Sequence, residues 1–240
     1  TKVHYETAVK NCEILKKIEP QSRIVIPFHA NPNWDKNLKV ADVLRDSVNI
    51  WCPNSLFLDT NEWAREYLRT RRNAGDEYWW YVCCGPGKPY NNFFVEFDAM
   101  AHRMLFWQQK LEGIQGLLYW STTFWNAGYG CEDPWESMNT VNHINPNIRG
   151  DGSLLYPGKK VGVHGPVSSL RLEVIRDGIE DFEYLVLAEE RIGKKYTEEL
   201  VKKMTPDLKT YEQDPMKLEA VRISLGEAIE KATVTARKKL

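Results

Sequence analysis

At 240 residues, with 27% charged and 42% hydrophobic side chains, the chain has the composition of a globular protein rather than a disordered one, and room for one large domain or two small ones. A formal net charge of −1 gives no basic field for nucleic acid or an anionic membrane surface, and the sequence holds no run of about 18 apolar residues that would cross a bilayer, so neither partner is expected. In chain order, residues 3–18 place Val9, Cys12, Leu15 and Ile18 on one helical face, and Glu19-Pro20 stops that helix. The short β-branched run at 23–28 suits a strand buried on both faces. A polar turn at 31–37 leads to a short helix at 38–44 and a second strand at 48–52. Residues 61–73 read as a helix with Trp63, Tyr67 and Leu68 on its core face, followed by a third strand at 78–84 that Gly85-Pro-Gly-Lys-Pro89 closes. A long helix at 93–111 precedes a fourth strand at 116–121.

Residues 125–167 are rich in Asn, Gly and Pro and show little periodicity, which points to a long functional loop whose Trp125, Tyr129, Trp135 and Tyr156 argue against disorder. Residues 168–191 form a strong amphipathic helix, and residues from about 198 onward form two more, broken at Thr205-Pro206 and Asp214-Pro215. The expected division is a partial barrel over 1–192, carrying the 125–167 loop, and a helical extension over 193–240.

Four strand–helix repeats indicate parallel βα units, either an open doubly wound sheet or a closed (β/α)8 barrel. No glycine-rich phosphate turn follows any of the strands, which weakens the nucleotide-binding option. Five cysteines form no CxxC pair, and adjacent Cys83 and Cys84 on a strand would point to opposite faces, unable to bridge easily. Scattered histidines without HExxH or zinc spacing give no metal site, and no cofactor is expected. The nine Trp and 11 Tyr are numerous; such rings build cores and also stack on the apolar faces of sugars.

Several segments then combine. Trp79-Trp-Tyr-Val-Cys83, Gly116-Leu-Leu-Tyr-Trp120 with Trp125-Asn126, Gly150-Asp-Gly-Ser-Leu-Leu-Tyr-Pro-Gly158, and Arg171-Leu-Glu-Val-Ile-Arg-Asp-Gly178 running into Asp181-Phe-Glu-Tyr-Leu185 resemble the C-terminal part of domain of unknown function 4091, related to glycoside hydrolase family 123. The resemblance implies the C-terminal half of a TIM-type (β/α)8 barrel, about four parallel βα units followed by helices. It also implies a parent that cleaves N-acetylhexosaminides by a substrate-assisted route. In that route the sugar's acetamido oxygen attacks the anomeric carbon, an Asp orients the amide, and a neighbouring Glu acts as general acid, an exception to the two-carboxylate scheme. By the family pattern that Asp-Glu pair falls upstream of Thr1, so the chain is expected to be an excised piece, inactive alone and without catalytic residues of its own. Asp76-Glu77 precedes its strand, on the stability face of a barrel, and Glu132-Asp133 stands in reversed order in a loop. The expected partners are an oligosaccharide, and the missing N-terminal half of the same chain or a second copy covering open sheet edges. Location stays open at this point: glycan-degrading relatives are commonly exported, but no leader is present in the sequence.

Tyr81 and Trp120 lead the sugar-contact candidates, as a phenol and an aromatic floor near strand ends, or else as packing in the barrel wall. Trp125, Asn126, Asn92, His29 and Asn54 follow or end strands and could bind hydroxyls, or form turns and structural hydrogen bonds. Asp151, between two glycines, could accept a hydroxyl or make a turn. Arg171, Glu173, Arg176, Asp177 and Asp181 read as a solvated charge network. A non-catalytic carbohydrate-binding module and a purely structural domain are the alternatives.

Overall fold

The structure, a computed structural model, describes residues 2–28, 43–61, 64–125, 133–136 and 148–237. The chain divides into two compact units, Thr1–Tyr81 with Ile114–Leu118, and Val82–Gly113 with Tyr119–Leu240.

In the first unit the apolar runs become strands β1 (Val25–Phe28), β2 (Ile50–Pro53), β3 (Glu77–Val82) and β4 (Gly116–Tyr119), whose last residues pass into the second unit. Helix α1 (Lys2–Ile18) precedes β1, and α2 (Phe57–Thr60) and α3 (Ala64–Asn73) stand between β2 and β3 in the chain. Four parallel strands in the order β1-β2-β3-β4 form half of a TIM-type barrel. Val25 pairs with Ile50, and Ile50 in turn with Glu77, so the first three strands start in step.

Every residue of β2 is buried, as expected of a central parallel strand. β3 alternates instead: Tyr78, Trp80 and Val82 are buried, while Trp79 and Tyr81 are half-buried on the other face. Helix α3 covers the buried side. Its Tyr67 ring meets the Trp51 ring edge-on at 5.6 Å, and the Arg72 guanidinium lies 5.4 Å from the Tyr78 ring centre. A Trp buries roughly 200 Å2, so Trp51 and Trp80 each contribute on the order of 5 kcal/mol at about 25 cal/mol per Å2, an upper bound against a compact unfolded chain.

The second unit contains α4 (Ala99–Leu111), a two-stranded antiparallel hairpin of β5 (Leu155–Pro157) and β6 (Pro166–Ser168), and helices α5 (Leu170–Arg191), α6 (Lys194–Met204) and α7 (Pro215–Arg237). Ser169 starts α5 by accepting the Leu172 N–H at 3.2 Å. Met104, Trp107, Leu185, Ala188, Val201, Met204, Leu218 and Leu225 share one core, so the boundary expected at 192/193 falls inside this unit. Asp181 lies inside it as well. Its carboxylate accepts Arg103 Nε at 2.6 Å and Nη2 at 2.9 Å, and the Trp107 indole at 3.1 Å. The expected solvated network therefore holds for exposed Arg176 and Glu173, 2.6 Å apart, but not for buried Asp181 or Arg171.

Three elements depart from the sequence reading. Helix α4 starts at Ala99 rather than near residue 93, because Phe93 and Phe94 are buried in irregular chain fastened by the Asn92 amide. The 125–167 region holds the β5–β6 hairpin. β3 stops at Val82, leaving Cys83 and Cys84 in a bend where strand alternation no longer separates them.

Candidate functional site

β4 ends at Tyr119 and delivers Trp120 to the surface, 37% exposed. The Tyr119 hydroxyl donates to Asp151 Oδ1 at 3.0 Å and accepts the Gly152 N–H at 2.7 Å, and the Trp120 indole N–H donates to the same Oδ1 at 2.8 Å. Asp151 is fully buried, and its Oδ2 has no hydrogen-bond partner among the described residues. Burial pushes its carboxyl above the usual carboxylate range, against the pull of Trp120, Tyr119 and the Arg171 charge.

The flanking glycines explain the Gly-Asp-Gly order. Gly152 has φ +74°, and a Cβ there would stand 2.5 Å from Trp120 Cζ2, so only glycine lets the indole lie against this turn. Gly150, φ +76°, would place a Cβ 2.7 Å from the Arg171 guanidinium. Arg171, buried at the start of α5, donates to the carbonyls of Phe93 (2.6 Å), Gly150 (2.7 Å) and Ser153. It thereby fixes the turn that supports Trp120. Phe124 packs on the Trp120 ring, with centroids 4.7 Å apart.

The segment after β4 is stitched to the 152–155 turn. The N–H groups of Leu154 and Leu155 both donate to the Thr122 carbonyl at 2.9 Å, and the Phe124 N–H donates to the Gly152 carbonyl at 2.9 Å. The Trp125 indole donates to the Leu155 carbonyl at 3.1 Å, and the Trp135 indole to the Pro157 carbonyl at 2.8 Å. The Trp135 and Tyr156 rings are 4.9 Å apart. Trp125, Pro157, Lys159, Val163, His164 and Pro166 line an open, mostly apolar cavity of about 650 Å3.

The remaining sequence candidates divide. In the first unit, Tyr81 is half-buried one residue before the end of β3, and Asn54, just after β2, bridges to it. Asn54 is buried, and its Oδ1 accepts the Leu56 N–H at 3.3 Å, so part of its amide serves the turn after β2. In the second unit, Asn92 is fully buried, with Nδ2 donating to the carbonyls of Cys83 (3.0 Å) and Pro86 (2.9 Å) and Oδ1 accepting the Phe93 N–H (2.7 Å). Its amide groups are spent on backbone. His29 and Asn126 lie outside the described residues.

The described members of the two acidic pairs, Asp76, Glu77 and Asp133, are engaged in ion pairs. Asp76 accepts the Trp51 indole at 2.8 Å and Arg71 Nε at 2.7 Å, while Glu77 pairs with Arg23 at 2.5 Å and accepts the Trp79 indole at 3.2 Å. Both sit where β3 begins. Asp133 is bound by Lys160 at 2.5 Å, which lowers its pKa, the reverse of what a general acid needs; Glu132 lies outside the described residues. Among the described residues no group of three or more His, Cys, Asp or Glu side chains could hold a metal ion, and no helix is long and apolar enough to cross a membrane.

The profile described as "Glycoside hydrolase 123, catalytic domain" matches residues 2–188, most of the chain. The chain belongs to glycoside hydrolase family 123. Its fold is similar to a solved structure of a family 123 enzyme from Clostridium perfringens, the subject of work on glycolipid glycan hydrolysis, with a TM-score of 0.56 and 14% identity. The match covers 99% of this chain and 45% of that one, so the chain spans less than half of the enzyme it resembles. A search of curated proteins finds no match.

Within the family 123 domain, sequence reasoning picked out Trp120 and Asp151 but missed Tyr119 and Arg171, which hold them. The spacing of Arg171 to Glu173 and Arg176 fits a solvated helix face, which hides its burial. The Gly150-Asp-Gly-Ser153 turn, with its backbone carbonyls needing a donor, was the available signal.

Proposed function

We propose that this chain supplies the sugar-contacting half of a glycoside hydrolase barrel, with Trp120 as the platform on which a glycan ring stacks. The observation that carries this reading is the exposed Trp120 indole, locked by Asp151 on its N–H and by Gly152 on its face, inside a family 123 domain. An aromatic ring fixed before the ligand arrives costs little ordering on binding, and its face suits the axial C–H groups of a pyranose. Asp151 has no exposed surface, so its role is to position Trp120 rather than to touch the sugar. Trp125 is a further contact in this proposal; Tyr81, in the first unit, is proposed separately as a sugar contact.

The substrate class is an N-acetylhexosaminide-bearing glycan, supported by the family assignment and by the glycolipid-glycan enzyme that shares the fold. Cleavage follows the substrate-assisted route, with the Asp-Glu pair contributed by the N-terminal half of the barrel. The engagement of Asp76-Glu77 and Asp133 in structural ion pairs supports placing the acid elsewhere. The outer strands of the four, β1 and β4, are then covered by that other half or by a second copy.

The test is hydrolysis of an aryl N-acetylhexosaminide by the full-length parent and by the 240-residue chain in parallel. Turnover by the parent, with none by the chain alone, is the expected result. Turnover by the chain alone overturns the placement of the acid, and inactivity of the parent on all aryl N-acetylhexosaminides overturns the substrate class.

A further inference from the structure

Where β3 stops, the bend brings the two adjacent cysteines together. The Sγ atoms of Cys83 and Cys84 are 3.8 Å apart, and both residues are only half-buried. The bend itself is fastened: the Cys83 N–H donates to the Gly85 carbonyl at 2.9 Å, and the Cys83 and Pro86 carbonyls share the two amide hydrogens of buried Asn92. The two sulfurs are therefore held as neighbours by groups other than themselves. The other described cysteines are of a different kind. Cys12 and Cys52 are buried, and burial pushes the Cys52 thiol up to about 12; Cys131 lies outside the described residues.

We infer that Cys83 and Cys84 form a thiol-exchange site that reacts with low-molecular-weight disulfides and closes to an intramolecular disulfide. Cys84 is the attacking residue. The hydrogen bond from Cys83 draws the Cys84 thiol down to about 7, while that same bond, with burial, pushes Cys83 up. A thiol titrating near ambient pH combines a useful thiolate fraction with retained nucleophilicity.

The steps balance as follows. The Cys84 thiolate attacks one sulfur of the external disulfide, forming a mixed disulfide and releasing one thiolate. Cys83 then loses its proton to solvent and attacks Cys84 Sγ, expelling the second thiolate. Two protein thiols are oxidised and one external disulfide is reduced to two thiols. Closure shortens the sulfur separation from 3.8 Å to about 2.05 Å and makes an eight-membered ring, strained and readily reduced because neighbouring Cα atoms stand only about 3.8 Å apart. The negative charge of Asp151 opposes thiolate formation at both cysteines, and the hydrogen bond from Cys83 outweighs it at Cys84. The inference does not depend on the glycosidase reading.

The experiment is to incubate the native chain with oxidised glutathione and follow intact mass, then to map the peptides without reduction. The expected product is two hydrogens lighter, with the new bond confined to the peptide carrying Cys83 and Cys84, and dithiothreitol reverses it. Cys83→Ser, which removes the resolving thiol, retains one glutathionyl group on Cys84, and Cys84→Ser reacts at this peptide at least about tenfold more slowly. A wild-type chain that resists oxidation at this peptide, keeps a stable glutathionyl adduct there, or pairs these cysteines with other chains overturns the inference. So does Cys84→Ser reacting as fast as wild type. The wild-type mass result needs no variant and stands even if a serine variant folds poorly.

Discussion

Replacing Asp151 tests the support beneath Trp120. Asp151→Ala leaves the Trp120 indole N–H and the Tyr119 hydroxyl without their shared acceptor at 2.8 and 3.0 Å. Hydrogen bonds to a charged acceptor contribute about 1.5–3 kcal/mol each, so the gross loss is about 3–6 kcal/mol. Part is offset because the carboxylate is buried at a cost, which its raised pKa records, leaving a net loss of about 2–4 kcal/mol. Asp151→Asn retains an acceptor oxygen in the same place and should lose about 1 kcal/mol or less at neutral pH. The sign of the pH dependence follows from the upward shift. The stabilising contribution of Asp151 is fully present below its unfolded pKa of about 3.9 and is lost as pH rises through the folded value. Wild type should therefore gain on the uncharged Asn variant in acid and surrender that gain towards pH 7. Urea denaturation of the three proteins at pH 4.5 and 7.5 measures both effects. An Ala variant as stable as wild type, or an Asn deficit that grows with pH, refutes the reasoning.

Arg171→Met removes a buried cation that serves the carbonyls of Phe93, Gly150 and Ser153, and should cost about 3–5 kcal/mol in chemical denaturation; a loss below about 1 kcal/mol contradicts the role assigned to it. His102 is buried, with Nε2 3.0 Å from the Phe94 carbonyl, and burial drives its pKa down from 6.5 to about 4. The unfolded chain takes up that proton first, so stability should fall by about 3 kcal/mol as pH drops from about 6.5 to 4, and His102→Gln should flatten that part of the stability–pH curve.

Much of the fold was legible because its signals are local. The apolar runs around Ile50 and Tyr78 could only be buried strands, and Pro206 and Pro215 marked the helix breaks within about a residue. The hairpin was hidden because β5 and β6 have three residues each, too few for alternation to show. Phe93 and Phe94 continue the helical period of α4, which hides its start; the hydrogen bonds that hold Phe93 outside the helix pass through Asn92 and Arg171, the latter 78 residues away. Trp120 and Asp151 could be named from the sequence, but not their relation, since the contact joining them spans 31 residues. Strand alternation separates Cys83 and Cys84 only if β3 runs to residue 84; it ends at Val82, and Gly85-Pro86 immediately after them is the signal of the bend.

The central claim, that Trp120 is a platform for a sugar ring, is tested most directly by titrating an oligosaccharide ending in N-acetylhexosamine into wild type and Trp120→Ala by calorimetry. Loss of the stacked ring should weaken binding at least about tenfold, worth about 1.4 kcal/mol, with Trp120→Phe in between and all three proteins equally folded. Equal affinity of wild type and a well-folded Trp120→Ala would contradict the account.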